Sequence, residues 1–467
     1  MDTLQILTPG NQKYAFPNSI CSYEAFIALE TGFRADSLFS FADQYLTDGM
    51  RVLDISENFD AFSIFMSAKI GPQGRISHFR QDNAHDHFLA ENVRSNNITN
   101  LNLVDLRIDS ATGNGFKSEY SLPPSLIRVS LSGSEDKIVQ QIISEFEENT
   151  PLLLIKFRHH NIVNQPVLDL LRGFNFKIFR FIPSLSLLEE TTDVNELDLS
   201  IDSIFACREE QVQALLGDRG LLFSPMVEME DTHLSTIDTR SIPKFLFRYP
   251  YATEISDNWQ ENLATVQKPN LDEYFYALEC FNRYCNTEIS KSQRYAYLQR
   301  AYQAINKHAD LGLTMSRIFS LSRIAYELGR ISESIHFLSV VFDESRKNEN
   351  TISIPEPFIS PNPRFDYITP NGRLGDWLEA SMIEQLVIAD PMYSFYDPQN
   401  TLSRITTLAT LGFFTNELAV RGLFANMRAN GILELTPEIV HANDLLLYRL
   451  DDLRETVTIQ TEEAVPV

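Results

Sequence analysis

Arg51-Val52-Leu53-Asp54-Ile55-Ser56-Glu57-Asn58-Phe59-Asp60-Ala61-Phe62-Ser63-Ile64-Phe65-Met66-Ser67-Ala68-Lys69 is the stretch whose reading decides the fold. Val52, Leu53 and Ile55 form a short apolar strand, and Phe62, Ile64, Phe65 and Ala68 recur at helical spacing after a polar turn. Gly74 to Phe79 supplies a second strand at once, so strand, turn, helix and strand read as a βαβ unit. In doubly wound α/β folds a ligand lies beyond the carboxyl ends of the strands, closest to the first strand-to-helix turn. Residues 54–60 are that turn.

The turn Asp54-Ile55-Ser56-Glu57-Asn58-Phe59-Asp60 resembles the D-x-G-A-N-x-G turn of FkbM-type methyltransferases, a branch of the class I enzymes that use S-adenosylmethionine (SAM). Further blocks follow in the family's order. Gly71 to Ile76 resembles its G-x-x-G-x-V, Phe79-Arg80-Gln81-Asp82 its aromatic-E-P-D, and Asn92 and Asn96 its L-x-x-N-x-x-x-N helix. Leu126 to Glu135 is similar to L-I-K-I-D-V-E-G-x-E, and Pro151 to Lys156 to P-x-L-L-V-E. The resemblance spans residues 45–190. It implies a Rossmann-like, mostly parallel sheet with an antiparallel edge hairpin, SAM as cofactor, and O-methylation of a sugar hydroxyl or secondary metabolite. It also implies cofactor contacts from Asp54, Ser56, Asn58, Asp60, Arg80 and Asp82, with Ser130, Ser132 and Glu135 near the transferred methyl group.

The chain departs from the family at specific positions. Ser56 and Asp60 stand where it has glycines, and Arg80, Ser130, Ser132 and Lys156 where it has acids. Side chains at 56 and 60 narrow the approach of backbone to ligand, and Asp60 brings a negative charge toward the cofactor's carboxylate. Arg80 has donors but no acceptor, so it does not replace a glutamate in gripping a diol. A rival reading follows, of a pseudo-methyltransferase that keeps the fold and acts as a scaffold through its helical part. A further alternative has Arg80, Lys156 and His159 lining a pocket for an anionic ligand.

Composition narrows the partners. The net charge is −24, with 43% hydrophobic and 22% charged residues; an acidic surface argues against nucleic acid and anionic membranes. The start lacks a basic flank and an apolar run, and nowhere do eighteen consecutive apolar residues occur, so the reading is cytoplasmic with no membrane span. Cys21, Cys207, Cys280 and Cys285 are dispersed and match no zinc pattern. His85 and His87, two apart at a helix start, point in diverging directions, so no metal is expected.

Along the chain, residues 1–50 read as an irregular and helical lead-in and 51–190 as the methyltransferase-like domain. Strands are expected at 75–80, 101–106, 126–131, 151–157, 176–181 and 184–189; helices at 60–69, 83–96, 134–147 and 164–173. The last two strands are too close for a crossover and predict an antiparallel hairpin. Residues 191–270, opening with Asp193, Glu196, Asp198 and Asp202, read as an acidic linker and irregular subdomain. From 271 to 350 helical periodicity returns, and Leu321 to Arg330 resembles one tetratricopeptide (TPR) hairpin, a place for a protein partner. The proline-rich 351–400 reads as an extended surface linker with one helix, and 401–467 as helices and a tail.

Among candidate chemical groups, Asp54 reads either as orienting the ligand turn or as a cap for the helix. His159, which follows the strand 151–157, suits a general base at neutral pH, or is a surface histidine at a strand end. Ser130 and Ser132 lack a nucleophile elbow.

Overall fold

The computed structural model describes residues 3–432, apart from 8–9, 18–20, 22, 32–36, 58, 81–85, 106–115, 117–122, 132–134, 147–149, 160–161, 192–196, 199, 224–237, 239, 266–269, 309–312, 349–353 and 390. A hairpin of β1 (Thr3–Leu7) and β2 (Lys13–Pro17) is followed by α1 (Tyr23–Thr31) and α2 (Ser37–Tyr45). The α/β part then runs β3 (Arg51–Ser56), α3 (Ala61–Ile70), β4 (Arg75–Arg80), α4 (Asp86–Ser95), β5 (Leu101–Asp105), β6 (Leu126–Ser130), α5 (Glu135–Glu145) and β7 (Leu152–Lys156). A small hairpin, β8 (Arg158–His159) and β9 (Ile162–Val163), precedes α6 (Gln165–Gly173), β10 (Phe176–Ile182), β11 (Leu187–Glu190) and β12 (Ser203–Arg208). Helices α7 (Pro250–Thr265), α8 (Leu271–Tyr284), α9 (Lys291–Asn306), α10 (Met315–Glu327) and α11 (Ile331–Asn348) come next. The last are α12 (Leu374–Ala389), α13 (Pro391–Tyr396), α14 (Pro398–Leu411) and α15 (Asn416–Ala429).

Among the described residues the main sheet has eight strands in the order β11-β10-β12-β7-β6-β3-β4-β5. Strands β7, β6, β3, β4 and β5 are parallel; β12 runs antiparallel to both β7 and β10, and β10 antiparallel to β11. This is the Rossmann-like α/β sheet the sequence implies, with its hairpin of β10 and β11. One strand was not expected. Residues 203–208 fall inside the stretch read as an acidic linker, yet they slot between β7 and β10, so the sheet does not end at 190. Ile204, Phe205 and Ala206 are buried there, and their burial outweighs the acidic flanks.

Alternation along the strands divides the two faces. Leu53, Ile55, Ile127, Val129, Leu153 and Ile155 pack with Ile138 and Ile142 of α5 and Val167 and Leu171 of α6. The opposite face carries Asp54, Ser56, His78 and Arg128 toward α3. Beyond them Phe39 of α2 sets its ring edge-on to Phe62 and Phe65. Asp60 caps α3, accepting from the Ser63 N–H at 2.9 Å. Gly71 ends the helix at φ +64°, a conformation that favours glycine.

The chain divides into two compact units, one of 7–14 and 36–371, the other of 1–6, 15–35 and 372–467. The expected lead-in 1–50 is therefore shared between them, and 191–270 is not wholly irregular, since it supplies β12 and α7. In the first unit the helices lie against the reversed sheet edge. Arg180 of β10 donates to Glu189 Oε2 (2.7 Å), to the Leu328 carbonyl (3.2 Å) and to the Tyr295 hydroxyl (3.0 Å). Asp198 accepts from the Ser332 N–H at 2.7 Å and caps the start of α11.

Residues 354–371 overturn a second expectation. They do lack an α-helix, as the prolines require, but they do not run over a surface. Ile354, Glu356, Phe358, Ile359, Ser360, Asn362, Phe365 and Asp366 are buried. An extended backbone inside a helical layer needs partners for its polar groups, and side chains provide them. Tyr274 donates to the Pro357 carbonyl (2.6 Å), Tyr251 to the Phe358 carbonyl (2.9 Å), and the Ile359 N–H donates to Ser320 Oγ (2.9 Å).

In the second unit Phe26 of α1 meets Phe395 and Phe424 edge-on, and the Arg428 guanidinium stacks on Phe395 at 3.5 Å. Arg421 donates to the Val387 carbonyl at 2.6 Å. Among the described residues no helix is long and apolar enough to cross a membrane.

Candidate functional site

The carboxyl end of β3 carries a buried polar network. Parallel register sets Asp54 beside His78 of β4 on one side and Arg128 of β6 on the other, so three polar residues of three apolar strands meet on one face. Asp54 is fully buried. Its Oδ2 accepts from Ser63 Oγ (2.6 Å) and lies 3.2 Å from His78 Nδ1; its Oδ1 accepts from Ser56 Oγ (3.0 Å) and from Arg128 Nη1 (3.4 Å). Arg128 then reaches Asp60 through both nitrogens, Nη1 to Oδ1 at 3.0 Å and Nη2 to Oδ2 at 2.6 Å. Such a fork-shaped contact fixes geometry as well as charge. The guanidinium also lies 5.1 Å from the Phe62 ring centre, and Phe59 meets the His78 ring edge-on.

Burial pushes the Asp54 carboxyl up, but Arg128, His78 and Ser63 outweigh it and hold the group at about 2. Asp54 is therefore an anion at every ordinary pH. Asp60 remains one-third exposed at the mouth of the turn.

The sequence-derived residues separate into groups. Asp54, Ser56 and Asp60 are brought together, with Ser56 and Asp60 both turned into the network rather than left as gaps. Ser130 ends β6 opposite Ser56 in the register, half-buried. Glu135 opens α5 fully buried, and Asn164 donates to its Oε2 at 3.1 Å while capping α6. The backbone of Arg80 closes β4 and that of His159 lies in β8. Asn58, Asp82, Ser132 and the side chains of Arg80 and His159 lie outside the described residues.

His78 and Arg128 are the residues the sequence reading missed. The available signal was the oddity of a histidine in Ile76-Ser77-His78-Phe79 and of an arginine in Leu126-Ile127-Arg128-Val129, each at an inward position of a buried strand. Among the described residues no group of three or more His, Cys, Asp or Glu side chains could hold a metal ion. The cysteines stand as free thiols, and burial pushes Cys207 and Cys280 up to about 12.

No family model matches the chain, and no curated protein matches its sequence. Solved structures similar in part include methyltransferases. A SAM-dependent methyltransferase from Aquifex aeolicus aligns at 12% identity and TM-score 0.27, over 39% of this chain and 96% of its own. A SAM-dependent O-methyltransferase from Thermotoga maritima aligns at 10% and 0.27, over 44% and 92%. Precorrin-6y C5,15-methyltransferase from Geobacter metallireducens aligns at 13% and 0.27, over 38% and 88%. The strand order itself, rather than these alignments, establishes the α/β class.

Proposed function

We propose that this chain is a SAM-binding methyltransferase of the FkbM-like type, acting on a hydroxyl of a sugar or other small molecule, in the cytoplasm. The observation that supports it is the charge held at the ligand turn. Two carboxylates, Asp54 and Asp60, share one guanidinium, Arg128, so acids outnumber arginines at this turn. SAM carries a sulfonium, an ammonium and a carboxylate, hence a net positive charge that complements this turn. A phosphate-bearing ligand would meet the opposite situation. The N-terminus of α3, where an anion would bind, is capped by Asp60.

The departures from the family acquire a physical account in this reading. The unfavourable charge of Asp60 is met by Arg128, and the Ser56 hydroxyl is spent on Asp54, so the turn keeps a fixed shape without glycines. Asp54, Ser56 and Asp60 would hold the amino-acid end of the cofactor, with Asn58, Arg80 and Asp82 joining by their positions in the sequence. When bound, SAM supplies an electrophilic methyl group. The chain's own contribution is placement, which carries most of such a transfer. Glu135, buried against Asn164, suits a positioning role, and His159, directly after β7, is the residue assigned to take the acceptor's proton.

A second reading, a scaffold that binds partners through the TPR-like hairpins of α8 to α11, is favoured by the inward turn of Ser56 and Asp60. Calorimetric titration with SAM and S-adenosylhomocysteine separates the two. Micromolar binding, followed by methyl transfer that is lost in His159→Ala, supports the enzyme. Absence of heat and of thermal stabilisation at millimolar ligand overturns it in favour of the scaffold.

A further inference from the structure

The buried strap of residues 354–371 is fastened to α10 at two points, and the two are built differently. At the first, Arg317 grips Glu356 with Nη2 to Oε1 at 2.8 Å and Nε to Oε2 at 3.1 Å, and Thr314 donates to Oε2 at 2.6 Å. At the second, Arg323 serves two acids at once. Its Nε donates to Glu327 Oε1 at 2.9 Å, its Nη2 to Asp366 Oδ2 at 3.2 Å, and its Nη1 to the Ser360 carbonyl at 3.3 Å. Glu327 has a further donor, the Tyr284 hydroxyl at 2.8 Å. Asp366 Oδ1 is buried with no hydrogen-bond partner among the described residues.

A buried carboxylate and a half-buried one sharing one guanidinium do not both ionise freely, and the buried one with fewer donors is the one that takes a proton. We propose that the strap is a proton-operated latch: a proton taken up by Asp366 at mildly acid pH tightens it on α10, and loss of that proton toward neutral pH loosens it. Other charged and titratable groups also face Asp366. Arg248 and Tyr249 approach from the turn before α7, and Tyr251 from α7 itself; Cys285, at the end of α8, faces Arg248 and Tyr249. Arg248 is engaged with the Tyr249 hydroxyl at 2.7 Å, so Arg323 remains the principal counter-charge.

The direction follows from linkage. Burial pushes Asp366 up, more strongly than Arg323 draws it down, from an ordinary 3.8 to about 6. A carboxyl raised in the folded state contributes stability that is fully present below its unfolded value and is lost as pH rises through the folded one. The strap is thus tighter at pH 5.5 than at pH 7.5. This inference is independent of any cofactor.

Hydrogen exchange of the full chain, corrected for intrinsic rates, tests it. The opening constant of the 354–371 amides should rise roughly fourfold between pH 5.5 and 7.5, while α9 serves as an internal reference. Asp366→Asn should remove the rise. Glu327→Gln, which leaves Asp366 in place and frees Arg323 for it, should move the transition down by about one pH unit. A flat wild-type response, an undiminished rise in Asp366→Asn, or an unmoved transition in Glu327→Gln each overturns the latch.

Discussion

Arg128 and Arg323 are equally buried, at 7% and 6% exposure, and each faces two carboxylates, yet the acids beside them ionise in opposite directions. Asp54 is held at about 2, whereas Asp366 is pushed up to about 6. The difference lies in the donors. Asp54 collects Ser56, Ser63, His78 and Arg128 across both oxygens. Asp366 has one nitrogen of a shared guanidinium and an oxygen with no partner among the described residues. Burial alone therefore does not set the charge of an internal acid; the opposite charges and hydrogen bonds offered to its ionised form do. The sheet's centre is a permanent anion, and the strap's centre is a titrating one.

The sharpest test of that contrast removes the cation from the sheet. Arg128→Met strands Asp54 and Asp60 together and should destabilise the protein by about 3–5 kcal/mol, read as a lowered denaturation midpoint in urea. Next, the two acids should respond to amidation with opposite sign. Asp54→Asn should cost about 2–3 kcal/mol at pH 7, because a depressed carboxyl stabilises above its unfolded value and loses that contribution only as pH falls through about 2. Asp366→Asn should raise stability by about 2–3 kcal/mol at pH 7.5, with the gain fading as pH falls through 6. Equal signs would break the comparison. The smallest effect belongs to a single donor: Ser63→Ala removes one hydroxyl from Asp54 and should cost about 1 kcal/mol, measured in the same urea series.

How much of this was legible follows from where the partners lie. The unit from Arg51 to Phe79 was readable because strand, turn and helix signals are local, and the hairpin of β10 and β11 because too few residues separate its strands for any other connection. The strand 203–208 was hidden, since its apolar run is short and flanked by Asp202, Glu209 and Glu210. In the strap, prolines correctly excluded an α-helix. Ile354, Phe358, Ile359 and Phe365 hinted at burial, but the tyrosines and serines that satisfy its backbone come from 39 to 109 residues away. At the site, Asp54 and Asp60 announced themselves within one turn. Arg128 and His78 reach them only through strand register, which no local pattern specifies.

The late arrival of β12 has a consequence for the order in which the molecule can be made. Strands β7 and β10 do not touch; each presents an open edge until residues 203–208 bridge them. During synthesis a chain grown only to residue 190 holds two unpaired edges in the middle of its sheet, the geometry most prone to pairing with another chain. Fragments ending before 203 should gather into aggregates, and the acidic run preceding β12, with its mutual repulsion, is well placed to keep nascent neighbours apart until the gap is filled.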